Sequence, residues 1–194
     1  MGLKLFPNIH THMRNLKPVE KQFLKYFDRD YIRLPVNQEK KALVKNWNTY
    51  NFNYYKEKRN IKQLLTQYQT YALRTGKRLG NGYYFIVLDL DRNYWGQQIW
   101  ELGIAWISTK RGGHIYLLLK ELPPNGLLFN QEQKRIGEIQ SQGKYVIGLG
   151  SFHQAGIRYN WERNKASKWW WKFETIKEME KFLLEKGIFC RFKR

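Results

Sequence analysis

Cysteine and acidic side chains are both scarce in this 194-residue chain, and each scarcity bounds what the chain can do. Cys190 is the single thiol, so no disulfide framework, zinc ribbon or iron-sulfur cluster can be assembled within the chain, and a reducing interior is its natural home. Only 16 Asp and Glu oppose 35 Lys and Arg, leaving a net charge of +19, a field that attracts polyanions, with nucleic acid or an anionic membrane as the usual candidates. No apolar run approaches the roughly 20 residues that span a bilayer. Residues Met1 to Arg14 lack the apolar core and small-residue cleavage site of a secretory signal. A soluble, cytoplasmic protein without membrane contact is therefore expected.

What is abundant is aromatic: 8 Trp, 13 Tyr and 11 Phe, dispersed among the basic residues. Dispersion argues for a folded surface rather than a disordered basic arm, and aromatic rings beside cations suit stacking on unpaired bases, although most of these rings are expected in the core. Hydrophobic residues make up 42% of the chain, enough for one substantial core or two small lobes sharing a cleft.

The central stretch is Tyr83-Tyr84-Phe85-Ile86-Val87-Leu88-Asp89-Leu90-Asp91, an apolar strand that runs into two carboxylates. Residues two apart on a strand share a face, so Asp89 and Asp91 point the same way. Two anions so close repel each other unless a cation compensates, and all-oxygen ligands suit Mg2+ or Mn2+; the competing reading is a polar strand end turning into the loop at Arg92.

Around it, Val19, Phe23, Tyr26 and Phe27 have helical spacing behind Pro18, and Ile32 to Val36 reads as a short strand. Ile61, Leu64, Leu65, Tyr68 and Ala72 predict a second helix stopped by Gly76, and Gly80-Asn81-Gly82 predicts the turn into the carboxylate strand. Gly103 to Ile107 and His114 to Leu119 read as strands, as do Ile136 to Ile139 and Tyr145 to Leu149, the latter two as a hairpin. Ile157 to Trp161 adds a further strand, and a last helix opens at Thr175 with Glu178 in capping-box spacing and stops at Gly187. The indoles Trp169, Trp170 and Trp171 cannot all face inward on one helix or strand. His10-Thr11-His12 lacks the surroundings of a metal-ligand pair.

Two loops could handle phosphate. Lys110-Arg111-Gly112-Gly113-His114 combines two cations, two glycines that admit close approach to backbone N–H groups, and an imidazole donor. Gly150-Ser151-Phe152-His153 sets a hydroxyl and an imidazole two apart at a strand end, where they either complete the same anion site or cap a turn. Glu138, in Ile136-Gly137-Glu138-Ile139, is the candidate third carboxylate, the alternative being a solvent-facing acid.

In this order the motifs resemble the catalytic core of the archaeo-eukaryotic primase superfamily, closest to its primase-polymerase branch. Val87-Leu88-Asp89-Leu90-Asp91 is similar to the family's first carboxylate motif, the Ser-x-x-Arg-Gly-x-His stretch from Ser108 to His114 to its nucleotide-binding motif, and Glu138 stands at its third acid. Ser151 and His153 match a segment that lies near the triphosphate in such enzymes, and Lys41 with Trp47 fits an upstream pattern of Lys before Trp, assigned here to nucleic-acid binding. The resemblance is strongest over residues 83–161. The chain departs from the family in having Glu rather than Asp as third acid and Ile147-Gly148-Leu149-Gly150 in place of a proline-rich approach to Ser151.

The resemblance implies an α+β fold with a mixed central sheet, flanking helices and a cleft between two small lobes. It implies one catalytic domain over 1–194, with an N-terminal lobe to about residue 80, a motif core to about 165 and a C-terminal helix and tail. The implied activity is template-directed nucleotidyl transfer on single-stranded DNA by two divalent ions, Mg2+ or Mn2+, held by Asp89, Asp91 and Glu138. Nucleoside triphosphates (dNTPs or NTPs) would be held by Lys110, Arg111, Gly112, Gly113, His114, Ser151 and His153. Template and primer are the implied partners; no Gly-x-x-x-x-Gly-Lys-Ser/Thr loop is present, so any helicase is a separate chain or lies outside this stretch of sequence. Two readings from other classes stand beside it: a single-stranded nucleic-acid binder without catalysis, and a metal-dependent nuclease.

Overall fold

The computed structural model describes residues 33–37, 39–43, 45–48, 70–91, 104–152, 157–162 and 170–193. The helix expected behind Pro18, the His10 and His12 pair, and the first part of the helix expected from Ile61 lie outside these residues. Among the described residues the fold is mostly β, with twelve strands and one helix. None of the helix is long and apolar enough to cross a membrane.

The large sheet is built on strand β4 (Tyr84–Asp91), which pairs antiparallel with β6 (Gly112–Leu119) on one side and β8 (Arg135–Gln140) on the other. Beyond β6 lie β5 (Trp106–Ser108) and β10 (Asn160–Glu162); beyond β8 lie β7 (Gly126–Phe129) and β12 (Phe189–Phe192). The short β3 (Lys77–Arg78) adds to β4, and β11 (Trp171–Phe173) runs parallel to β6. A second, three-stranded sheet places β2 (Tyr71–Arg74) between β1 (Arg33–Pro35) and β9 (Tyr145–Ile147).

Strand alternation divides β4 between two cores. Phe85 and Val87 face the small sheet, where they join Tyr116, Ile107, Leu73 and Val146. Ile86, Leu88 and Leu90 face away from it and pack with Ile115, Leu117 and Ile139 beneath helix α1 (Ile176–Glu185), whose Met179 and Leu183 are completely buried. A strand buried on both faces shows no hydrophobic alternation, which is why Tyr84 to Leu88 reads as one unbroken apolar run. The adjacent indoles divide in the same way, Trp170 against the first core and Trp171 into the second, on the Phe182 ring at 4.7 Å.

Two expectations need correction. Ala72 belongs to strand β2, not to the end of a helix: Ala72 and Leu73 are sealed between β1 and β9, and that tertiary pairing overrides a five-residue fit to helical spacing. Gly76 does stop an element, but as the bend where the chain leaves the small sheet for the large one. Nor do β8 and β9 form a hairpin, because β9 pairs with β2 and the turn at Ser141–Lys144 is a second crossing between sheets. The two crossings touch. Gly76 has a φ of +69°, and a Cβ there would stand 2.6 Å from the Gln142 Cα, so both its dihedral and the close approach require glycine. The Thr75 hydroxyl donates to the Ser141 carbonyl at 2.5 Å, pinning one crossing to the other.

Helix α1 behaves as its sequence predicts. The Thr175 hydroxyl accepts from the Glu178 N–H at 3.1 Å, and the Glu178 carboxylate accepts in turn from the Glu174 N–H at 2.9 Å. At the other end Gly187, φ +73°, donates to Leu184 while Ile188 donates to Leu183, a Schellman closure. Truncating Leu183 to Ala should lower unfolding free energy by about 2–5 kcal/mol, whereas Leu184→Ala, at a side chain 53% exposed, should change it by less than about 0.5 kcal/mol; urea titration of both variants checks this.

Candidate active site

Antiparallel pairing places residues directly opposite one another on the same face of a sheet. Asp89 of β4 stands opposite His114 of β6 on one side and opposite Glu138 of β8 on the other, so the three side chains form one row across three strands. The row extends to Ile107 of β5 past His114 and to Leu127 of β7 past Glu138. Asp91 lies two residues further along β4, on the same face and exposed. This is also the face that Phe85 and Val87 turn towards the small sheet; it is closed there and opens at Asp89.

The row is held by polar contacts. His114 Nε2 approaches Asp89 Oδ1 at 3.4 Å, with the imidazole only 6% exposed and the carboxylate 42% exposed. The imidazole lies 5.9 Å, ring to ring, from buried Tyr159, and His114 Nδ1 is buried without a hydrogen-bond partner among the described residues. Burial alone would raise the Asp89 pKa. The hydrogen bond and charge of His114, the charge of Lys40 and a hydrogen bond from Gln140 together outweigh it, so the carboxyl stays below its ordinary value and is ionised at neutral pH. Burial, reinforced by the Asp89 charge, pushes the Tyr159 hydroxyl up to about 12, keeping that wall neutral. Glu138 accepts from Arg135 Nη2 at 2.5 Å through one oxygen and from Gln140 Nε2 at 3.2 Å through the other.

The basic loop lies beside this row. Thr109, Lys110 and Arg111 form a tight turn closed by the Thr109 N–H donating to the Gly112 carbonyl at 2.9 Å, with both cations exposed. Gly112 and Gly113 belong to β6 itself, opposite Asp91 and Leu90. Gly113 has a steric reason to be glycine: a Cβ would meet the Trp106 ring at 2.4 Å. Ser151 is buried, its hydroxyl accepting from the Tyr71 N–H and donating to the Tyr71 carbonyl, both at 3.1 Å. His153 lies outside the described residues. Lys41 points outward and pairs with Glu39 at 2.9 Å, and Trp47 packs edge-on against Tyr145 at 4.7 Å.

Three neighbours of the row escaped sequence reasoning. Lys40, not Lys41, feels Asp89, Lys110 and Arg111; desolvation lowers its pKa most, Asp89 opposes that, and the two cations add to it. Its backbone is left-handed, φ 67°, in a turn where its N–H donates to the Asn37 carbonyl at 2.9 Å and its own carbonyl accepts from the Tyr145 hydroxyl at 2.6 Å. A non-glycine residue held there is strained by about 1–3 kcal/mol, a cost tolerated chiefly at sites of function. Gln140 could have been found, since it lies two residues from Glu138 on the same strand face. Arg135 lies three residues from Glu138, and regular alternation puts it on the opposite face.

Gly137 sets the approach of β8 to β4: a Cβ there would stand 2.3 Å from the Asp89 carbonyl oxygen. Gly137→Ala should force the strands apart and destabilise the protein by about 1–3 kcal/mol, measurable by thermal or urea unfolding. Because the folded-state pKa of Asp89 is depressed, its contribution is present above its ordinary value of 3.8 and disappears as pH falls through the lower folded value. The stability of the wild type relative to Asp89→Asn should therefore fall as pH is taken below about 3.8, in parallel unfolding titrations of the two proteins.

No curated protein is matched by the chain. A family model, described as bifunctional DNA primase/polymerase, N-terminal, matches residues 23–179, a span that contains the Asp89 and Asp91 strand, the basic loop, Glu138 and the Ser151 turn. With that match covering most of its length and agreeing with the order of the motifs, the chain belongs to the family of bifunctional DNA primase/polymerase N-terminal domains.

Proposed function

We propose that this protein is a template-directed nucleotidyltransferase that extends, and starts, strands on single-stranded DNA from nucleoside triphosphates. The observation that carries the reading is the His114–Asp89–Glu138 row, fixed by strand register within a chain of the primase/polymerase family. We further read residues 1–194 as one catalytic domain of the archaeo-eukaryotic primase type, with flanking helices and a substrate cleft between two small lobes.

The donor set fits divalent cations. Asp89 and Asp91 share a face, Glu138 stands beside Asp89, and all offer hard oxygens. Among the described residues no three ligating side chains close on one point, so the carboxylates form an open row rather than a cage. An open row suits Mg2+ or Mn2+, since Mg2+ keeps several waters and completes its shell with substrate phosphates. When bound by Asp89, Asp91 and Glu138, two such ions would supply acidification of the attacking 3′-hydroxyl and charge compensation at the leaving pyrophosphate.

The chain's own residues do the rest by position and charge. Asp89, held ionised by its donors, keeps the row anionic at neutral pH. Lys110 and Arg111 on the exposed turn, with Lys40 facing them, form a cationic border for the triphosphate. His114, its Nε2 on Asp89 and its Nδ1 buried, would act on the nucleotide through Asp89 by holding that carboxylate in the row. Ser151 holds the turn that leads to His153 against β2, and so acts on the nucleotide through that segment. Lys41 and the rest of the +19 surface would follow the template backbone, with Trp47 steadying the loop that carries Lys40 and Lys41. Primer and template would lie in the cleft.

A non-catalytic single-strand binder would share the charge and the aromatics but has no use for a row of carboxylates. Incubation with single-stranded template, labelled nucleotides and Mn2+ should yield extended product, and Asp89→Ala/Asp91→Ala should reduce it at least about a hundredfold while DNA binding persists. Equal incorporation by the double variant would overturn the proposal. Shortened template instead of lengthened product would identify a nuclease.

A further inference from the structure

Strand β8 contains an irregularity that breaks the alternation of its side chains. Its pairing with β7 matches Leu127 to Glu138 and Leu128 to Gly137, then slips so that Phe129 stands opposite Arg135, leaving Ile136 as the extra residue of a β-bulge. In an unbroken strand Arg135, an odd number of residues from Glu138, would point to the opposite face. Leu127 and Phe129 share a face of β7, and each shares it with its partner, so the bulge brings Arg135 onto the face of Asp89 and Glu138. Ile136 is buried in the opposite core, beside Ile139 and Leu128.

The result is a carboxylate whose two oxygens are both engaged by donors of its own strand. Arg135 Nη2 donates to Glu138 Oε1 at 2.5 Å, and Gln140 Nε2 donates to Oε2 at 3.2 Å. Three carboxylates on one face repel one another, and the guanidinium offsets that repulsion from within the fold. The pair is also half open to water, with side chains 52% and 28% exposed, so it is weak enough to be exchanged for another cation.

We propose that Arg135 is a positioning residue that acts as a built-in counter-ion of the carboxylate row, competing with a divalent cation for Glu138 and so setting the concentration at which the row fills. The proposal rests on the reading that Asp89, Asp91 and Glu138 bind divalent cations. It assigns the β-bulge a purpose, since without the extra residue at Ile136 the guanidinium would lie on the wrong side of the sheet.

Mn2+ can be titrated into the 194-residue chain without nucleotide and followed by electron paramagnetic resonance of the free ion, with thermal unfolding as the check on folding. Arg135→Ala should bind Mn2+ about two- to fivefold more tightly than wild type, as expected for removal of a partly exposed competing pair, and the gain should shrink as salt screens the pair. Arg135→Gln should behave alike if the alanine variant folds poorly. In a Glu138→Gln background the Arg135 substitution should change nothing. Unchanged or weaker Mn2+ binding by a folded Arg135 variant, or a gain that persists without Glu138, overturns the counter-ion role. Asp89→Asn separates the two claims. If it abolishes Mn2+ binding while Arg135→Ala has no effect, only the counter-ion role falls; if Asp89→Asn binds Mn2+ as wild type does, the divalent-ion reading falls with it.

Discussion

One register holds this molecule together: β4 is bonded along its length to β6 and along its lower half to β8, with Asp89 level with His114 and with Glu138. Because side chains alternate strictly along a strand, a slip of one residue in either pairing would move His114 or Glu138 to the opposite face and bring an apolar neighbour into the row. The apolar residues prevent that slip. Ile86, Leu88 and Leu90 must meet Ile115, Leu117 and Ile139 under the helix, while Phe85 and Val87 must meet Tyr116 and the small sheet. Hydrophobic burial on two faces thus positions the polar row, and the chemistry is carried by a frame that contains none of it.

Close backbone approach is the second constraint. Gly137 lets β8 lie against the Asp89 carbonyl, Gly113 lets Trp106 lie over β6, and Gly76 lets the two sheet crossings touch. At each of these a side chain would collide with neighbouring backbone or a fixed ring. The two crossings give the small sheet its place: the chain leaves it after Arg74 and re-enters it at Tyr145, with the Thr75 to Ser141 hydrogen bond joining the two points. That placement lets the Tyr145 hydroxyl hold the Lys40 carbonyl, with Lys40 left-handed and within electrostatic reach of Asp89.

Electrostatics then follow from geometry. A carboxylate partly withdrawn from water would ordinarily resist ionisation, but Asp89 collects an imidazole, an ammonium and an amide and remains charged. Glu138 is served by Arg135 and Gln140 from its own strand. Asp89 and Glu138 are thus each given organic partners by the fold itself.

Much of this was legible in the residues alone, and the remainder for definite reasons was not. The shared face of Asp89 and Asp91, the turn at Gly80–Gly82, the caps of the last helix and the family itself follow from local periodicity, local hydrogen bonding and motif order, all of which act within a few residues. The strand at Ala72, the separation of β8 from β9, the choice of Lys40 over Lys41 and the turning of Arg135 depend on pairings between residues tens of positions apart, and on one unpaired residue in β8. Short-range preference determined which elements could exist and which groups could do chemistry. Only tertiary packing, acting through strand register and the bulge, decided which of those groups share a face, because a face is a property of a sheet and not of any strand taken singly.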